Sequence, residues 1–209
     1  MKKYIYKTMF ILSIGATALI GCTNADDVET PPFTYPYFVS NFTDHPAGVG
    51  VNLDIPGTIN ANLTNTPLWE VRSFSGNKYM QFSAFNSEAN TTDNVWFVLP
   101  EANLESNKKA TFSFDVAQAF LSNGFPLKAY YSLNFDGNQA NISSATWTEL
   151  PFSFPSSSPN YEFVKIKNLI YLNESTEAQN IYFALNYKGA KTDGSSTMIQ
   201  VDNIKLLIN

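Results

Sequence analysis

Hydrophobic and polar side chains alternate with a period of two along most of the chain, and beyond the first 21 residues no segment keeps a helical period. In residues 110–116, Ala110, Phe112, Phe114 and Val116 alternate with polar neighbours, and residues 78–84 and 180–187 repeat the pattern. A period of two places successive side chains on opposite faces of a strand, so it predicts strands that bury one face.

About ten short strands with polar turns and no helix predict an all-β fold, a two-sheet β-sandwich. The strands are expected around residues 38–43, 69–74, 78–84, 94–99, 110–119, 127–133, 146–154, 161–171, 180–187 and 197–208. Ser75-Gly76-Asn77 predicts a hairpin turn. Long surface loops are expected at 50–66, 154–160 and 188–197. The length favours the jelly-roll type over the smaller immunoglobulin plan.

The first 21 residues have the order of an export signal, with Lys2, Lys3 and Lys7 before an apolar run from Met9 to Ile20. The run is shorter than the roughly 20 apolar residues that a membrane span needs. Its end, Leu19-Ile20-Gly21-Cys22, resembles the lipobox of bacterial lipoproteins, which implies lipidation of Cys22. The alternative is an ordinary signal peptide that leaves a free thiol. Cys22 is the one cysteine of the chain, so no disulfide joins two parts of it.

These features divide the chain into three parts. They are a lipoprotein signal peptide at 1–21, a polar, proline-rich flexible tether at 22–37, and a β-sandwich domain at 38–209. Removing the signal peptide takes away three lysines and makes the net charge of −5 more negative, which excludes a basic nucleic-acid footprint. The acidic stretch 23–29 resembles the export signal of surface lipoproteins. We therefore expect an outer-membrane lipoprotein that faces the cell exterior, with the periplasmic face as the alternative.

Seven segments from residue 67 onward carry a second resemblance. In order they are WEVRSFSGNKYMQFSAF, NVWFVLPEANL, ATFSFDVAQAF, PLKAYYSLNFDG, ATWTEL, IYFALNYKG and IQVDNIKLL. This order is similar to the choice-of-anchor family of jelly-roll domains in exported bacterial lipoproteins, although VWFVLP departs from the usual ending of its segment. The resemblance implies a β-sandwich related to carbohydrate-binding modules, with glycan capture or adhesion at a cell surface.

Asp202 lies between apolar neighbours in the last predicted strand, where an ionised carboxylate needs a partner. The resemblance implies a structural calcium ion on this aspartate, completed by oxygens of the first strand, for which Asn41 and Asp44 are the candidates. Calcium takes six to eight oxygen ligands. The alternative is that Asp202 caps a bulge or accepts hydrogen bonds from backbone amides.

Sugar binding uses exposed aromatic rings beside polar groups. Trp69 and Trp96 begin apolar strands and are expected in the core, whereas Trp147 stands between two threonines and is expected at the surface. Tyr130 and Tyr131 are adjacent on a strand, so one of them points outward. We predict a ligand site that combines Trp147, Tyr131 and Asp136.

Catalysis is not expected. The one histidine, His45, precedes a proline in a turn, and the carboxylates Asp115, Asp136, Glu149, Glu162 and Asp202 form no recognisable motif. A glycoside hydrolase would need two of them about 5 to 9.5 Å apart in a cleft. The sequence therefore predicts a lipid-anchored surface protein that captures a glycan as an accessory to polysaccharide uptake. The alternative is an adhesive or structural module that binds a surface protein.

Overall fold

A computed structural model describes residues 35–192 and 195–209. The predicted signal peptide, Cys22 and the tether up to residue 34 lie outside these residues. The described residues belong to a compact unit, Thr34–Asn209. Within the described residues, no helix is both long and apolar enough to cross a membrane.

Twelve strands and two short 3-10 helices make up the described fold. The strands are β1 (Phe38–Ser40), β2 (Ile59–Asn62), β3 (Glu70–Phe74), β4 (Asn77–Phe82), β5 (Thr92–Val98), β6 (Ala102–Leu104), β7 (Lys109–Ala119), β8 (Leu127–Ser132), β9 (Thr148–Leu150), β10 (Val164–Leu172), β11 (Gln179–Ala190) and β12 (Met198–Ile208). The 3-10 helices are Ala84–Asn86 and Gln139–Asn141.

Two antiparallel sheets face each other. The first sheet has the order β10-β7-β12-β4-β3, with β1 also paired to β12. The second sheet has the order β2-β5-β11-β8-β9, with β6 also paired to β11. Inward residues of both sheets, among them Phe112, Phe183 and Val201, form the main core between them. The predicted two-sheet β-sandwich of jelly-roll type is confirmed.

The alternation assigned the strand faces correctly. The predicted inward residues Phe112, Phe114 and Val116 are buried, as are Phe183 and Leu185 on β11. The predicted hairpin at residues 75–77 also forms, with Phe74 and Asn77 as register partners. Ser75 and Gly76 both have positive φ, at 50° and 85°. Two such residues in succession give the turn that matches the twist of a hairpin.

The prediction of a loop over 50–66 was wrong in part. Ile59–Asn62 forms β2, which pairs with β5 at the edge of the second sheet. Its sequence, INAN, offers a short alternation that its asparagines obscure. Asn60 ties the strand to the segments on either side of it, since its side-chain amide donates to Leu53 O at 3.0 Å and Trp69 O at 2.9 Å.

Candidate functional site

The two sheets have outer faces of different character. The outer face of the second sheet carries a ring cluster of Trp96, Tyr130, Phe135, Trp147 and Tyr182. Residues 133–147, which we call the covering loop, contribute Phe135 and Trp147 to this cluster. Gly137 makes the close approach possible, because a Cβ there would lie 2.7 Å from the hydroxyl oxygen of Tyr182.

Trp147 is a packed member of this cluster. Its ring centroid lies 4.9 Å from that of Trp96 and 5.3 Å from that of Phe135. Its indole N–H donates to Ile142 O at 2.9 Å. The side chain is half-buried, and its contacts fix the covering loop on the sheet.

Tyr131 is not brought together with Trp147. It packs against the main core, where its ring centroid lies 4.7 Å from that of Tyr171. Tyr130 is the residue on the outer face, 5.4 Å from Trp96 between centroids. The alternation required one of the two tyrosines to point outward, and burial of β8 against the core selected Tyr130.

Asp136 is exposed in the covering loop, and its hydrogen bonds stabilise the conformation of that loop. One carboxylate oxygen accepts from Asn138 N at 2.9 Å and the other from Asn141 Nδ2 at 2.7 Å. The Asn138 hydrogen bond, and then that of Asn141, hold the pKa of Asp136 below its usual value. The adjacent pocket measures about 110 Å³, well below the roughly 300 Å³ at which ligand sites begin.

Asp202 lies at a bulge, because the register of β12 with β7 shifts between Asp202 and Lys205. One carboxylate oxygen accepts from Asn203 N at 2.6 Å and the other from Asn77 Nδ2 at 3.0 Å. Burial raises the pKa of Asp202, and the neighbouring Asp115 carboxylate adds to the rise. Both oxygens therefore have amide partners, the arrangement that the bulge-capping interpretation expects.

The other two calcium candidates lie at the end of β1. Asn41 and Asp44 are exposed, and Asn41 Oδ1 accepts from Thr43 N at 3.2 Å. The part of the chain that the structure describes has no group of three or more His, Cys, Asp or Glu side chains placed to hold a metal ion. Calcium takes six to eight oxygen ligands, and the neighbouring groups that contact the Asp202 carboxylate are the N–H donors of Asn77 and Asn203, so the side chains as they are arranged do not fit the ion.

The outer face of the first sheet carries a groove of about 620 Å³, which we call the outer groove. Its lining residues are Arg72, Ser73, Phe74, Asn77, Tyr79, Gln81, Tyr161, Phe163, Met198 and Gln200. Most come from β3, β4 and β12, whose alternate residues face the core. None of them was predicted as a site residue.

Aromatic rings form the groove. Tyr79 lies in its floor, with its ring centroid 5.9 Å from that of Phe163. Tyr161 stands beside Phe163 and is 49% exposed, and its ring meets that of Phe120 edge-on at 6.0 Å. Phe74, at the tip of the β3–β4 hairpin, is 74% exposed. The groove thus offers two well-exposed rings and two packed ones.

Polar groups lie among these rings. Gln200 Nε2 donates to Gln81 Oε1 at 2.9 Å, which leaves the amide hydrogens of Gln81 outside this bond. Arg72 donates to Glu70 Oε2 at 3.1 Å. Burial raises the pKa of Tyr79, against the opposing effect of the Arg72 charge. The groove therefore combines apolar ring surface with amide, hydroxyl and guanidinium groups.

Sequence reasoning could have found part of this groove. Tyr79 and Gln81 are the outward members of β4, whose inward residues Met80 and Phe82 follow from the alternation over residues 78–84. The register then places Gln81 beside both Glu70 and Gln200 across neighbouring strands. Tyr161 and Phe163 come from the segment before β10, and no local pattern indicates which strands that segment crosses.

The chemistry of the groove suits a ligand with both apolar and hydrogen-bonding surface. Ligand sites commonly measure about 300 to 1,000 Å³ and pair apolar lining with a few polar groups. The outer groove falls within that range and has that lining, and the covering-loop pocket does not.

No protein-family model and no curated protein matches the chain. The chain is similar to several solved β-sandwich structures. The K3 adhesin domain of Lys-gingipain from Porphyromonas gingivalis has 13% identity and a TM-score of 0.46, with 82% of this chain and 98% of that chain covered. The CBM22-1 xylan-binding domain of Paenibacillus barcinonensis Xyn10C has 11% identity and a TM-score of 0.42, covering 84% and 95%.

TmCBM61, solved in complex with β-1,4-galactotriose, has 11% identity and a TM-score of 0.42, with 80% of this chain and 97% of that chain covered. Identities and TM-scores this low give no information about the ligand of this chain.

Proposed function

We propose that this protein is a non-catalytic glycan-binding protein and that the glycan lies in the outer groove. The observation that carries the proposal is the placement of the exposed rings of Phe74 and Tyr161 around the amides of Gln81 and Gln200. Sugar rings present C–H faces that pack on aromatic rings and hydroxyl groups that need hydrogen-bond partners. The outer groove supplies both within one cavity.

The test is binding of the purified full chain to a panel of polysaccharides, with calcium and with chelator. Tyr161→Asn is the informative variant, because Tyr161 has a φ of 67° and asparagine tolerates that conformation. We expect specific binding by the parent and its loss in Tyr161→Asn. Trp147→Phe, which keeps a ring in the covering loop, is expected to bind as the parent does.

Loss of binding in Trp147→Phe but not in Tyr161→Asn would move the site to the second sheet. That result would reinstate the site predicted around Trp147 and overturn the assignment to the outer groove. Circular dichroism and the unfolding midpoint of each variant show whether it is folded before its affinity is interpreted.

Adhesion through a protein partner is the second candidate. The exposed Phe120 and Leu121 extend the apolar surface beside Tyr161, and contiguous exposed apolar surface is typical of protein contacts. A folded chain that binds no polysaccharide of the panel would favour this candidate over glycan capture.

The non-catalytic assignment rests on where the carboxylates lie. Glu149 pairs with Lys128 at 2.7 Å on the second sheet, away from the outer groove. Asp115 and Asp202 are cross-strand partners, but Asp202 is 4% exposed and neither lines the groove. His45 is half-buried near Phe42 and does not line the groove. Hydrolysis of a bound glycan by the purified chain would contradict this assignment.

The proposal extends to location. Lipidation of Cys22 would attach the domain to the outer membrane through a tether, in keeping with the resemblance to choice-of-anchor lipoproteins and with a role as accessory to polysaccharide uptake. Labelling of cells with a radioactive fatty acid should mark the parent and not Cys22→Ser. Protease treatment of intact cells then separates the exterior from the periplasmic face, since only exterior protein is degraded.

A further inference from the structure

We propose that the outer groove selects neutral glycans and discriminates against glycans that carry carboxylates. The inference rests on the proposed function and names the class of glycan. It follows from how the charges on this face of the first sheet are paired.

Arg72 is the one charged residue among those that line the groove. Its guanidinium is held by Glu70 Oε2 at 3.1 Å, and Glu70 Oε1 also accepts from Gly50 N at 3.0 Å. Glu70 is thus fixed by two bonds at the position from which it neutralises Arg72. A carboxylate on a ligand would have to displace Glu70 before it could pair with Arg72.

The other charges near the groove are predominantly negative. Asp202 accepts from the lining residue Asn77, and Asp115 is its cross-strand partner. Glu162 stands in the chain between Tyr161 and Phe163 and is exposed. Lys165 lies 4.0 Å from Asp115, so that cation is already matched by an acid. Lys78, between the lining residues Asn77 and Tyr79, donates to the carbonyls of Thr43 and His45 at 2.7 and 2.6 Å and does not line the groove. A ligand carboxylate in the groove would therefore meet more negative charge than accessible positive charge.

Neutral sugar hydroxyls meet no such penalty. The amides of Gln81 and Gln200 and the hydroxyl of Tyr79 both donate and accept hydrogen bonds. Specificity of this kind arises from repulsion of the wrong ligand as much as from attraction of the right one. Glu70 takes the Arg72 charge away from a ligand carboxylate, and the surrounding acids supply the repulsion.

The experiment compares neutral polysaccharides with the same polymers oxidised at C6 to uronates. Galactan and mannan serve as probes, with dissociation constants measured on the purified full chain at low ionic strength. We expect the neutral form to bind at least about fivefold tighter, the ratio that one repulsive charge contact near 4 Å in water produces. The ratio should shrink as salt is raised, because salt screens exposed charges.

Glu70→Gln is the decisive variant, because it frees the Arg72 charge and keeps an oxygen that can accept from Gly50. We expect it to bring the ratio of the two dissociation constants to about one or to reverse it. Glu149→Gln is the matched control, since it frees Lys128 in the same way on the second sheet. It should leave the ratio as in the parent.

Equal or tighter binding of the oxidised probes by the parent would overturn the inference and leave glycan binding in place. A ratio that Glu70→Gln does not change would also overturn it, because the paired charge would then not set the preference. Absence of binding to every neutral and oxidised probe would overturn the proposed function together with this inference.

Discussion

The outer faces of the two sheets carry aromatic rings in comparable number, but they use them differently. On the second sheet the covering loop holds Trp147 against Trp96, and Trp96 is 8% exposed. On the first sheet Phe74 and Tyr161 stand 74% and 49% exposed around a groove. The same residue types therefore stabilise the fold on one face and offer a binding surface on the other.

The difference in ring exposure depends on which chain segment packs on the outer face of each sheet. The covering loop is held by Asp136 and by the indole N–H of Trp147, so it closes over the second sheet. On the first sheet Phe163 packs on Tyr79 of β4, whereas Phe74 and Gln81 line the open groove beside it. An aromatic residue is thus a candidate binding residue only where no loop packs on it.

The largest effect is expected from Trp96→Ala on the second sheet. The substitution removes the ring that Tyr130 and Trp147 pack against, and truncation of a buried tryptophan costs about 3 to 5 kcal/mol of unfolding free energy. Urea denaturation of the variant measures the loss. A loss below about 1 kcal/mol would show that the covered face is not a structural cluster.

Phe74→Ala tests the open face. We expect glycan affinity to fall about tenfold, or about 1.4 kcal/mol, because an exposed ring of the groove is lost. The unfolding free energy should stay within about 0.5 kcal/mol, as for most surface substitutions. Isothermal titration and urea denaturation measure the two quantities.

Phe85→Ala is the control for Phe74→Ala. Phe85 is 63% exposed and lies outside the groove. The glycan affinity and the unfolding free energy of the variant should therefore match those of the parent. If the two variants weaken binding equally, the effect is not specific to the groove.

Asp202→Asn tests two things: how much the buried Asp202 carboxylate beside the groove contributes to stability, and whether it binds calcium. In chelator we expect the free energy of unfolding to change by no more than about 1 kcal/mol, since the removal of a buried charge next to Asp115 is offset by the loss of one acceptor oxygen, that of Asn77 Nδ2 or Asn203 N. A calcium ion that binds only the folded state would raise the midpoint of the parent with concentration. Such a rise in the parent, absent in Asp202→Asn, would establish the calcium site.

The smallest expected effect is a local loss of structure in the covering loop as the pH is lowered. The folded-state pKa of Asp136 is lowered, so its contribution to the loop is present above the ordinary aspartate pKa and is lost as pH falls through the lowered value. The protection factors of the amides in the covering loop, which correct for the intrinsic pH dependence of exchange, should therefore fall in acid, with little change in the sheets. Asp136→Asn should remove most of that pH dependence, and an unchanged acid response would assign it to another group.

The strand faces could be read from the sequence because they depend on neighbours two residues apart. Phe112, Phe114 and Val116 were assigned to the core on this basis, and the hairpin at Ser75-Gly76 was found from its turn residues. β2 was missed because asparagines obscure its short alternation, and its pairing with β5 joins residues more than thirty positions apart.

The candidate site could not be read in the same way. Tyr131 was chosen over Tyr130 without a means of telling the two faces of β8 apart. Trp147 was expected at the surface from its threonine neighbours, but its exposure depends on Trp96 and Phe135, which are distant in the chain.

By itself the sequence determined that the chain forms strands, which side chains the strands with clear alternation bury, and that the fold is an all-β sandwich. These properties follow from local alternation, because burying apolar area favours one face of each strand. Only the tertiary structure decided which outer face is covered and which is open. Phe163 meets Tyr79, and Trp147 meets Trp96, through pairings and loop paths that no local pattern encodes. The outer groove is therefore a property of the assembled sheets.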